Sequence, residues 1–127
     1  MELVDLARVA SQNNDIRAEV ECYCRINNLT AQKVYNQLSL HVATHYQQGR
    51  YSFEFCDAVV NLLFDHMLDD FGSDARQKCL PEPAFAIYLA FDSGEYHHSE
   101  DEEHICPIIK YTNPEIARIL EKHRGRD

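Results

Sequence analysis

Residues 84–91 read AFAIYLAF. An unbroken apolar run of this length fits a buried strand or two turns of helix, and periodicity alone does not choose between them. The surroundings favour helix. Pro81-Glu82-Pro83 precedes the run, and Pro83 suits the first helical position. Alanines are interleaved, and no second run offers itself as a partner strand. With this run helical the whole chain reads as all-α: a compact bundle of five to six helices, with an acidic loop before the last one.

The segments upstream agree. FEFCDAVVNLLFDHMLDDF (53–71) is the most strongly apolar stretch. Its Phe55, Val59, Leu62, Leu63, Phe64 and Met67 are expected to fill much of the core, with Ser52 as N-cap and Gly72 as the stop. AQKVYNQLSLHVATHYQQ (31–48) follows a capping Thr30, carries a Val34-Leu38-Val42 stripe and ends at Gly49, where a C′ glycine belongs. IRAEVECYCRI (16–26) follows Asn14 and Asp15, either of which can cap it, and stops at Asn27-Asn28. Leu3, Leu6, Ala7 and Ala10 give a first helix. Downstream, SDARQKC (73–79) reads as a turn or brief helix, and ICPIIKYT (105–112) as an extended, Pro-interrupted connector. The last helix, PEIARILEKH (114–123), has Thr112 or Asn113 as cap, and Lys122, His123 and Arg124 complement its dipole.

A length of 127 residues suits one domain. Twelve basic against 21 acidic residues give a net charge of −9. That balance argues against nucleic acid or an anionic membrane as partner, since both need Lys and Arg to meet phosphates, and it favours basic partners. No apolar stretch approaches the length of a membrane span. The opening MELVDLARVASQ lacks a basic n-region, and five cysteines is an odd number. Free thiols in a reducing cytoplasm are the simplest expectation.

Chemistry concentrates in AFDSGEYHHSEDEEH (90–104), which holds six carboxylates, three histidines and no Lys or Arg. His97, His98, His104 and Cys106 are conceivable metal ligands, but their spacing matches no familiar zinc module. His41 and His45 are four apart on one helix and could also bind a metal. Cys22-x-Cys24 is not a redox C-x-x-C; one buried and one partly exposed thiol is the expectation. Nucleophile elbows and phosphate-binding glycine loops are absent, so catalysis and cofactors are not expected. What remains is the acidity. Asp65, Asp69 and Asp70 end the apolar helix, and Asp92, Glu95, Glu100, Asp101, Glu102 and Glu103 follow. Either these form a solvated face, or, with Tyr96 as an aromatic anchor among them, they contact a basic protein. On the second reading, Ala at Asp101 or Glu102 slows binding and leaves the fold intact. Asp92-Ser93-Gly94 is also a turn signature, with Gly94 free to take positive φ and Glu95 within reach of Lys110 or Arg118.

Residues 90–96 (AFDSGEY) and 110–120 (KYTNPEIARIL) resemble the C-terminal part of small acidic bacterial immunity proteins of contact-dependent growth-inhibition and related polymorphic toxin systems. The resemblance covers 18 positions and carries no invariant functional residue. It implies a cytosolic, non-enzymatic protein that binds the C-terminal domain of a cognate toxin, often a nuclease. Two other expectations stand beside it: a small metal-binding enzyme or regulator using the His/Cys set, and an oligomeric adaptor using an apolar helix face.

Overall fold

The computed structural model describes residues 1–73 and 79–123. Among the described residues six α-helices succeed one another: α1 (Leu3–Ser11), α2 (Arg17–Asn27), α3 (Ala31–Gln47), α4 (Phe53–Ser73), α5 (Ala84–Asp92) and α6 (Asn113–His123). A π-helical turn, Ile108–Thr112, leads directly into α6. Among the described residues there is no strand, and AFAIYLAF is helical, so the chain is an all-α bundle. No helix of the described residues is long and apolar enough to cross a membrane.

Local chemistry sets most helix ends. The Thr30 hydroxyl accepts from Lys33 N at 3.3 Å, and Ser52 Oγ accepts from Phe55 N at 3.1 Å; both are N-cap bonds. Asn28 adopts αL (φ 55°) and closes α2, and Gly49 (φ 78°) follows α3. At α2 the cap is tertiary. Asp15 Oδ1 accepts from Arg17 N at 2.7 Å, but Ile16 N–H is met by Nε2 of His66, 3.3 Å away on α4. His66 is 2% exposed and accepts at Nε2, so it is neutral in the fold. Burial first, then Arg17, holds its pKa below the usual imidazole value.

α3 and α4 form the centre. α4 packs on α1, α3 and α5, and α3 also meets α2 and α6. Leu6, Ile16, Leu38, Leu63, Met67, Ile87, Phe91 and Ile116 are buried where these faces meet. Val59 and Leu62 are buried as the pattern predicts, whereas Phe55 and Phe64 are only half-buried at the rim. α4 runs through Gly72 to Ser73 and does not stop at the glycine. Most of SDARQKC, residues 74–78, lies outside the described residues.

The segment read as an extended connector is where the fold departs from expectation. Residues 108–112 are π-helical, and Asn113 is helical (φ −62°, ψ −47°), so neither Thr112 nor Asn113 caps α6. Both side chains have tertiary partners: Thr112 Oγ1 donates to Ala90 O at 2.7 Å, and Asn113 Oδ1 accepts from Tyr46 OH at 2.5 Å. Gly94 is not at positive φ; its role is steric. A Cβ built there would lie 2.3 Å from Thr112 Oγ1 and 3.0 Å from the Phe53 ring. Both neighbours are held, so Gly94→Ala is expected to destabilise the protein by about 1–3 kcal/mol. Chemical denaturation checks this, and an unchanged midpoint would remove the close approach as a constraint.

Candidate protein-binding surface

The acidic segment is a folded excursion from the end of α5 to the π-helical turn. His98 sits at its middle. Its ring lies 4.7 Å from Tyr96 and 4.0 Å from Tyr111, centroid to centroid, and Nε2 is 2.9 Å from Ser93 O. His97 Nε2 is 2.8 Å from Glu102 O. Asp101 closes the structure from below. One of its oxygens pairs with Lys110 Nζ, and the other accepts from Tyr111 OH at 2.5 Å. Its side chain is only 6% exposed. The Lys110 ammonium, with Tyr111, holds its pKa below the ordinary carboxylate value.

This placement sorts the acids by role. Glu100, Glu102 and Glu103 are exposed, and Tyr96 is 53% exposed at the edge of the loop. Asp101 is turned inward, so it is a clamp for the loop, and its replacement by Ala would loosen the fold it was expected to spare. Asp69 pairs with Arg17, and Asp70 accepts from Tyr35 OH at 3.0 Å. These two therefore belong to the joint between α4 and α2–α3, apart from the loop. Glu95 meets neither Lys110 nor Arg118. It accepts from Asn61 Nδ2 at 2.9 Å, while Arg118 Nε donates to Glu115 at 2.7 Å.

Asp92 and Glu95 join a residue that the pattern did not single out. Asp57, on α4 one turn before Asn61, faces both, and one of its oxygens is buried with no hydrogen-bond partner. Burial, then the Glu95 carboxyl and the charge of Asp92, push Asp57 up to about 7. Asp92 is raised too, by burial first and then by Glu95. Tyr88 is raised by burial and by four carboxylates around it: Asp92, Glu95, Asp57 and Asp65. The available signal was the polar series Asp57, Asn61, Asp65 at four-residue spacing within the most apolar helix.

The metal-ligand set does not assemble. Among the described residues no three His, Cys, Asp or Glu side chains are placed to hold a metal ion. His97 and His98 bond backbone carbonyls, His104 approaches Glu102 at 3.4 Å, and Cys106 is exposed. The His41 and His45 rings lie 4.1 Å apart, tilted by 39°, and His41 Nε2 lies 2.9 Å from Tyr51 OH. The five cysteines form no disulfide; Cys22 is exposed and Cys24 half-buried, so neither of that pair is the fully buried one. Comparison with protein-family models, curated proteins and solved structures gives no match.

The crowded carboxylates give a pH dependence with a definite sign. The folded pKa of Asp57 lies above its unfolded value, so its proton stabilises the fold at low pH. That contribution is fully present below about pH 4 and is lost as pH rises through 7. Asp57→Asn removes the loss. It is expected to raise stability at pH 8 by about 1 kcal/mol, the crowding being partly screened by solvent. His66 runs the other way but is common to both proteins, so the difference between the two pH–stability curves reports Asp57 together with the carboxylates it crowds. A difference that stays flat from pH 5 to 8 would contradict the assignment.

Proposed function

We propose that the protein works by binding and has no catalysis of its own: it is an immunity-type inhibitor that neutralises a basic bacterial toxin domain, of the nuclease kind, in the cytoplasm. The observation that supports this most is the held loop. Glu100, Glu102 and Glu103 point to solvent from a segment fixed by Asp101, Lys110, Tyr111 and His98. No Lys or Arg occurs from residue 92 to residue 109. Ordering such a loop before encounter lowers the entropy cost of docking. A net charge of −9 gives the long-range field the same sign as the local one, which speeds encounter with a basic surface. Tyr96, amphipathic and exposed beside the acids, suits a packed anchor. An acidic surface laid over a basic nuclease cleft would occupy its phosphate sites. The resemblance of residues 90–96 and 110–120 to immunity proteins supplies the partner class.

The test is a growth assay. The C-terminal part of the upstream open reading frame is expressed in a naive host, with and without this chain, and viable cells are counted. Killing by the fragment and rescue by the chain are expected; killing without rescue refutes immunity to that fragment. With a complex in hand, Glu100→Gln/Glu102→Gln/Glu103→Gln is expected to slow association about tenfold at low salt and to flatten its salt dependence. An unchanged rate would sink the loop mechanism.

A further inference from the structure

The side of the molecule shared by α4 and α5 carries a half-exposed apolar face among the described residues. Phe64 stacks on Tyr88 at 4.0 Å with an interplanar angle of 10°, and on Phe85 at 5.9 Å and 13°. Three nearly parallel, half-buried rings thus form a stacked aromatic shelf along this side, with Phe64 face to face on Tyr88. Leu68, one turn after Phe64, is 44% exposed, and Leu89, one turn after Phe85, is 45% exposed. The helices are antiparallel here, so the N-terminal end of α4 lies beside the end of α5. At that end stand Asp57, Asp92 and Glu95, with Asp65 alongside Tyr88. Among the described residues no Lys or Arg forms an ion pair with Asp57, Asp92 or Glu95.

We infer that this α4–α5 face is a docking surface for a basic amphipathic helix of a partner protein, whose apolar side lies on the Phe64–Phe85–Tyr88 shelf between Leu68 and Leu89 and whose Lys or Arg residues meet Asp57, Asp92 and Glu95. Charge complementarity selects this occupant. A second copy of the chain would bring like clusters together at a net charge of −9 each, and an anionic membrane would be repelled. A guanidinium or ammonium over the exposed Glu95 and the part-buried Asp92 would offset the like charge gathered beside Asp57, which no Lys or Arg of the described residues pairs with. Eleven positions separate Asp57 from Leu68, about 16 Å of helix, so three turns of partner helix span the face. Helix-in-groove recognition uses anchors at this spacing.

The inference adds a second contact surface to the proposed function and needs no toxin for its test. The full chain, ¹⁵N-labelled at low ionic strength, is titrated with a Leu/Lys amphipathic peptide of about 18 residues. A control peptide carries Glu in place of Lys. Saturable shifts at Asn61, Phe64, Tyr88 and Leu89 with the Lys peptide alone are expected. Leu68→Ser/Leu89→Ser, at exposed positions, should weaken binding about tenfold or more, and Asp92→Asn/Glu95→Gln should weaken it and reduce its salt dependence. The loop variant Glu100→Gln/Glu102→Gln/Glu103→Gln should bind within about twofold of the parent, so loop and face can fail separately. Absence of binding, shifts confined to residues 99–104, equal binding of the two peptides, indifference to the leucine changes, or light scattering that shows a dimer which Leu68→Ser/Leu89→Ser dissociates would each overturn the docking surface.

Discussion

A single buried hydrogen bond closes the acidic segment. Thr112 Oγ1 donates to Ala90 O at 2.7 Å, and Gly94 fits beneath the hydroxyl because it has no Cβ. Residues 93–107 form a loop between α5 and the π-helical turn, and this bond holds its two flanks together. Closing a loop of that length costs a few kcal/mol of chain entropy, growing only slowly with length. The interior contacts then have to order it against its own like charges. They do so with few cations: Lys110 serves Asp101 alone, and the rest of the order comes from ring stacking around His98 and from histidine bonds to carbonyls. Apolar and polar contacts that carry no charge balance suit a segment whose carboxylates face outward.

Acidic residues here do three different jobs, separated by which cation each can reach. Asp69 finds Arg17 and ties α4 to the start of α2, where His66 already meets Ile16 N–H. Asp101 finds Lys110. Asp57, Asp92 and Glu95 find each other, with Asn61 as the one neutral donor to Glu95. Like charges gathered on a half-buried surface oppose folding, and the large buried face of α4 has to offset them. A folded protein that carries such a cost gains from any cationic ligand that relieves it, since binding to the native state alone stabilises it by mass action.

Much of the architecture was legible because helices announce themselves locally. Thr30, Asn28, Gly49 and Ser52 act as the caps and stops their types suggest, and the Val34-Leu38-Val42 stripe is buried. The failures share a cause. Cys106-Pro107 looks like a breaker, but residues 108–112 are π-helical and Thr112 bonds Ala90 across 22 positions, and no local pattern contains that bond. Likewise a run of acids shows charge but not pairing. Asp101 meets a lysine nine positions away, Asp69 an arginine 52 away, and Glu95 an asparagine 34 away. Asp57 went unread because one carboxylate in an apolar helix is unremarkable until α5 brings two more beside it.

Two surfaces on one small bundle would divide the work of binding along physical lines. Exposed loop carboxylates act at a distance and are screened by salt over about 10 Å, so they would govern how fast a basic partner arrives. The α4–α5 shelf acts only on contact. Its aromatic rings and two leucines would lose water when covered, a gain that salt leaves in place, and it would govern how slowly the partner leaves. Glu95 stands where the two meet, bonded to Asn61 of α4 and lying on the chain only one residue before Tyr96. A partner held at both places would pass from loop to shelf across that residue. Mutations on the loop and on the shelf would then change different rate constants, even where they change the affinity equally.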